Sequence, residues 1–133
     1  MAAHHPEKMV GVASLCVPYL AAGFTLDNMI PLVDRSVYPE AEYPAGQWDY
    51  QYFYEERFDT ARQGFEANIR NVVKALFRKG DPHAAGKPAR TAAVRKAGGW
   101  FGGGAFPDVP RDPDVITEAD LDVYTAALTH NGF

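Results

Sequence analysis

The sequence predicts a mainly α domain with a single β-strand near its N-terminus. Three observations carry that reading. Between Asp59 and Lys79, the residues Phe65, Ile69, Val72, Val73, Leu76 and Phe77 recur at the spacing of a broad helical stripe. Thr117-Glu118-Ala119-Asp120 is a capping-box variant that opens a second helix, with Leu121, Tyr124, Ala127 and Leu128 as its buried face. Near the N-terminus, Val10 to Cys16 is an almost unbroken apolar run stopped by Pro18, the pattern of a parallel strand buried on both faces. No second strand of that quality follows, so the rest of its sheet is expected to lie outside this chain.

The elements between these landmarks follow in order. His4 to Lys8 is polar. Ala21 to Gly46 is irregular, interrupted by Pro31, Pro39 and Pro44, with one short helix expected where Leu26, Met29, Ile30 and Val33 keep helical spacing. Asp27 near its start suits the positive end of the helix dipole. The segment Gln47 to Glu56 is the densest aromatic stretch of the chain. Trp48, Tyr50, Tyr52 and Tyr54 alternate as in a strand, yet two or three helical turns fit equally well. Gly64 and Asn68 mark where the helix of 59–79 divides, with Asn68 capping its second part and Gly80 stopping it. Gly80 to Arg111 reads as loop. Asn131-Gly132 ends the last helix.

Composition bounds the function. The 133 residues are 47% hydrophobic and 23% charged, as in one globular domain. The net charge of −4, with no dense basic run, argues against a nucleic-acid partner. A single cysteine, Cys16, precludes an intrachain disulfide and fits a reducing compartment. No signal-peptide pattern opens the chain, and Met9 to Phe24 is too short and too broken for a membrane span, so a cytoplasmic location is expected. His4, His5, His83 and His130 lack metal-ligand spacing, so neither a metal nor another cofactor is expected. The glycine cluster Gly98 to Gly104 lacks the Lys-Ser/Thr pair and glycine order of a phosphate loop, and a tight-turn loop is the better reading. No Gly-x-Ser-x-Gly elbow is present.

Read together, five segments resemble the epoxide hydrolases of the α/β-hydrolase fold. Val12 to Tyr19 is similar to the core strand that leads into the family's lid. Trp48-Asp49-Tyr50-Gln51-Tyr52-Phe53-Tyr54-Glu55-Glu56 resembles a lid segment of the form Phe-Asp-Tyr-Gln-x-Tyr-Phe-Gln-Glu. Asn71 to Arg78 resembles the following lid helix, and Gly98-Gly99-Trp100-Phe101 a Gly-Gly-x-Phe element. Ile116 to Tyr124, running on to Phe133, resembles the closing helix of the lid. The resemblance implies a helical cap (lid) over residues 21–133, with residues 1–20 as a remnant of the hydrolase core.

It also implies a mechanism. An elbow Asp attacks an epoxide carbon and forms an alkyl ester, and two lid tyrosines hold and protonate the epoxide oxygen. A His paired with an acid then activates the water that releases the diol. A phenol suits the ring-opening step, because its pKa of about 10 keeps it protonated at neutral pH yet able to protonate an alkoxide. By position, Tyr50 is the first lid tyrosine and the expected proton donor. Val17, Pro18, Tyr19, Leu20, Trp48 and Gln51 are the expected substrate-binding residues. The elbow Asp, the second lid tyrosine and the catalytic His have no counterpart here, and His130 does not match the last of these. The chain alone is therefore expected to be inactive, with a small-molecule epoxide as substrate and an α/β-hydrolase core as the missing partner. The Gly86 to Arg90 stretch is longer than in the simplest family lids. Two other readings compete. One is a non-catalytic helical interaction module whose exposed aromatics meet a partner or a second copy in a homo-oligomer. The other is the lid of a haloalkane dehalogenase or esterase relative.

Overall fold

The computed structural model describes residues 5–11, 13 and 23–133. The fold is mainly helical, and no strand occurs among the described residues. The expected strand falls largely outside them. Of its residues, Val10, Gly11 and Ala13 are described; none is in a strand, and Val10 is fully exposed.

Helix α1 (Leu26–Met29) is one turn long and tightens into a 3-10 turn at Ile30–Leu32. Pro31 falls in that turn, where a missing N–H is least costly. Leu26, Met29 and Val33 are buried. Arg35 holds the irregular segment that follows by donating to the carbonyls of Tyr43 at 3.0 Å and Pro44 at 3.1 Å. Another 3-10 turn, Gly46–Trp48, runs directly into α2 (Asp49–Glu56). The aromatic segment is thus helical. Tyr50 and Tyr54 stand one above the other on one face, as residues four apart do.

The helix expected over 59–79 is two helices, α3 (Phe58–Glu66) and α4 (Ile69–Leu76). The break comes where Asn68 leaves helical geometry and its side chain accepts the Asn71 N–H at 3.1 Å. The stop at Gly80 is corrected: α4 ends at Leu76. Arg78 instead donates to the Pro110 carbonyl, and the Lys79 N–H to an Asp112 carboxylate oxygen at 3.1 Å. These bonds to the 108–114 segment draw the chain off the helical path. Along the stripe, Phe65, Val72 and Val73 are buried and Ile69 is half-buried, whereas Leu76 and Phe77 are exposed.

Residues 80–111 are not plain loop. They contain 3-10 turns at Pro82–Ala84 and Arg90–Ala93, and a tight turn at Trp100–Gly103 in which Phe101 and Gly102 are left-handed. Helix α5 (Glu118–Asn131) begins with the expected capping box. The Asp120 N–H donates to Thr117 Oγ1 at 3.1 Å, and the Thr117 N–H donates to Asp120 Oδ2 at 2.9 Å. Gly132, at φ +74°, closes the helix. α5 packs on α4, with Leu121 against Val73 and Ile116. Leu128 is half-buried, but Tyr124 and Ala127 are exposed, so the expected four-residue buried face is narrower. Tyr124 instead stacks on Phe77, with ring centroids 4.9 Å apart. Arg70 bridges the two helices through Glu118 and Asp122.

Two further clusters form the core around the aromatic helix. Phe53, Ala61 and Val94 make one, and Phe65, Val72 and Phe106 the other. Tyr54 and Trp100 pack against both and join them.

Candidate functional site

Tyr50, the expected proton donor, lies in the first turn and a half of α2 and is half-buried. Its ring meets Tyr54 edge-on at 5.5 Å and Trp100 at 6.4 Å, the spacing at which ring quadrupoles attract. Gln51, also half-buried, donates its Nε2–H to the Tyr50 hydroxyl across a long 3.4 Å. No acceptor for the Tyr50 O–H occurs among the described residues. A hydroxyl that accepts one bond and keeps its proton uncommitted is equipped to donate to an incoming oxygen.

Tyr54 is engaged differently. Trp100 donates its indole N–H to the Tyr54 hydroxyl at 2.9 Å. Burial pushes the Tyr54 phenol above its ordinary pKa, and the Trp100 N–H, which favours the phenolate, offsets part of that rise. Trp100 is positioned by the glycine cluster, which is a tight turn. Gly99 adopts φ +141°, and a Cβ there would stand 3.3 Å from the Phe53 ring and 3.1 Å from Gly103 Cα. Phe101 is left-handed at φ 52°, the one non-glycine residue so placed among those described.

The floor of the site is held from the 90–100 segment. Asp49 is the buried charged residue of the core, and its Oδ2 accepts the Arg95 N–H at 3.1 Å. The Arg95 guanidinium reaches the other end of the same helix and grips Glu56, with Nε to Oε2 at 2.9 Å and the second limb of the fork on Oε1. It also lies over the Tyr52 ring, 5.0 Å from the centroid. Arg95 holds the Glu56 carboxyl below its ordinary pKa.

Open hollows lie near the aromatic cluster. One, of about 280 Å³, is walled by Tyr54, Phe58, Ala61, Phe65 and Phe133 and is almost wholly apolar. Another, of about 530 Å³, is bordered by Leu76, Arg90, Val94, Ala97, Trp100 and Phe101. Tyr50, Trp48 and Gln51 border neither hollow.

Among the expected substrate-binding residues, Trp48 and Gln51 lie beside Tyr50 in sequence and are half-buried. Val17, Pro18, Tyr19 and Leu20 lie outside the described residues. Sequence reasoning missed the roles of Tyr54, Trp100 and Arg95. The four-residue spacing of Tyr50 and Tyr54 was a usable helical signal. Nothing local marks Arg95, whose partners lie 39 and 46 positions away. Among the described residues, no group of three or more His, Cys, Asp or Glu could hold a metal, and no helix is long and apolar enough to cross a membrane.

Comparison with known proteins adds one line of evidence. No family model matches the chain, and no solved structure matches it. Bifunctional epoxide hydrolase 2 of Sus scrofa is 28% identical over 133 residues, which is 100% of this chain and 21% of the relative. The chain therefore spans about a fifth of that relative's length, and it is similar over that span to part of an epoxide hydrolase.

Proposed function

We propose that this chain is the helical cap of an epoxide hydrolase and that Tyr50 protonates the epoxide oxygen as the ring opens. The observation that carries the reading is the Tyr50 hydroxyl. Tyr50 is half-buried with its ring against Tyr54 and Trp100, and its hydroxyl accepts a bond from Gln51 and keeps a proton with no acceptor among the described residues. The mainly helical fold and the similarity to an epoxide hydrolase support the same reading.

The chemistry divides between cap and core. A carboxylate of the core attacks one epoxide carbon, its C–O bond breaks, and the electron pair settles on oxygen. The Tyr50 O–H donates to that oxygen as the charge builds, which lowers the barrier only where the charge develops. The core then hydrolyses the ester. The cap supplies the proton donor and the apolar wall, and the nucleophile comes from the core, so the 133 residues alone turn over no epoxide.

Two assays test this. The purified chain is incubated with a chromogenic epoxide; burst kinetics would contradict the division of labour. In the enzyme that unites this cap with its core, Tyr50→Phe is expected to slow ester formation by about 10²-fold, the loss typical of one such donor. Hydrolysis of the preformed ester should be unaffected. An unchanged rate of ester formation removes Tyr50 from the mechanism.

A further inference from the structure

We infer that Arg95 is a positioning residue for Tyr50, locking the aromatic helix from both ends. This rests on the reading of Tyr50 given above.

The argument is geometric. Helix α2 is only eight residues long, too short to hold its own shape in water. Its N-terminal end is pinned by the bond from the Arg95 N–H to the buried Asp49 carboxylate. Its C-terminal end is pinned by the fork of the Arg95 guanidinium on Glu56. Between them, Tyr52 lies against that same guanidinium. One residue thus holds Asp49, Tyr52 and Glu56, and Tyr50 sits inside that span. The turn carrying Arg95 also sets the partner rings. Val94, the preceding residue, packs in the core cluster that supports Tyr50, and its carbonyl accepts the Gly99 N–H at 2.8 Å, which places Trp100.

Lysine cannot serve the Glu56 end or the Tyr52 ring in the same way. A planar guanidinium meets a carboxylate with two parallel bonds and lies flat on a ring; an ammonium does neither in a fixed direction. Arg95→Lys keeps the charge and the backbone bond to Asp49 but loses the fork and the stacked plane. Glu56→Gln weakens the fork from the other side without touching Arg95.

The first arm uses this chain with ring-labelled tyrosine, the Tyr50 signal being assigned by its loss in Tyr50→Phe. Arg95→Lys and Glu56→Gln should each move the Tyr50 ring resonances toward those of free tyrosine. The amides of Thr117 to Asp120, at the start of α5, should keep their shifts. A Tyr50 signal that stays put in both variants overturns the inference. So does a general loss of dispersion in both, which would make the clamp a matter of overall stability.

The second arm measures single-turnover ester formation in the enzyme that unites cap and core. Arg95→Lys should lower that rate between about 10-fold and 100-fold, as a misplaced catalytic group does. It should leave ester hydrolysis alone and add nothing in a Tyr50→Phe background. An equal loss in that background shows that Arg95 does not act through Tyr50. If Tyr50→Phe alone leaves ester formation unchanged, the catalytic reading of Tyr50 fails, whereas the resonance arm decides independently whether Arg95 holds the ring.

Discussion

Gly46→Ala should destabilise the fold strongly, for two reasons that can be separated. Gly46 stands at φ +56°, where an L side chain collides with its own carbonyl, at a cost of about 1–2 kcal/mol. A Cβ there would also fall 2.5 Å and 2.7 Å from the two methyls of Val33. Val33 is buried, and its β-branched side chain has few rotamers to retreat into. Overpacking of that kind costs about 1–3 kcal/mol. The sum is about 2–5 kcal/mol. With a urea slope of about 2 kcal/mol/M, the unfolding midpoint should fall by about 1–2.5 M. Val33→Ala removes the two obstructing methyls and leaves only its Cβ, 3.2 Å away, so in that background Gly46→Ala should cost little more than the backbone part, about 1–2 kcal/mol. Urea unfolding of the four proteins, followed by far-UV circular dichroism, gives the cycle. A loss below about 0.5 kcal/mol, or the same loss in both backgrounds, would refute the argument.

Two further outcomes follow from titrating groups. Asp34, held by the Ser36 hydroxyl and N–H, Glu56, held by Arg95, Asp112, held by the Lys79 and Asp114 N–H groups, and Asp120, held by the Thr117 hydroxyl and N–H, all lie below their ordinary pKa. Depressed carboxyls stabilise the fold above the unfolded pKa of about 4 and lose that contribution as pH falls through the folded values. The urea midpoint should therefore drop on acidification below about pH 4, and Thr117→Ala should flatten the drop; a midpoint that rises instead contradicts the assignment. In the alkaline range, the half-buried Tyr54 phenol should ionise above the ordinary tyrosine range. Trp100→Phe removes the N–H that favours the phenolate, so Tyr54 should ionise later still; earlier ionisation would contradict the Trp100–Tyr54 bond.

What could be read in the sequence was local. The Asn68 cap, the Thr117–Asp120 box and the Gly132 stop each depend on a few neighbouring residues, and each stands where the pattern put it. The aromatic segment could not be settled that way, because alternate rings suit a strand and rings four apart suit a helix. Helix wins where Phe53 fills the core and Tyr50 and Tyr54 meet edge-on. The 80–111 segment looked structureless because its order comes from distant partners. Tyr38 takes the Ala89 N–H, Glu56 takes Arg95, and Tyr54 takes Trp100. The early end of α4 has the same origin, in Asp112 and the Pro110 carbonyl. At the candidate site, the sequence singled out Tyr50 and Gln51, which the structure joins through a hydrogen bond. Arg95, which spans the helix carrying them, has no local signature.

The most direct test of the role proposed for Tyr50 is a rapid-quench count of alkyl ester formed in one turnover, by an enzyme that joins this chain to an α/β-hydrolase core, with and without the Tyr50 hydroxyl. Tyr50→Phe should accumulate ester about 10²-fold more slowly and break it down at the unaltered rate. Equal accumulation in the two proteins would show that the Tyr50 phenol has no part in opening the ring.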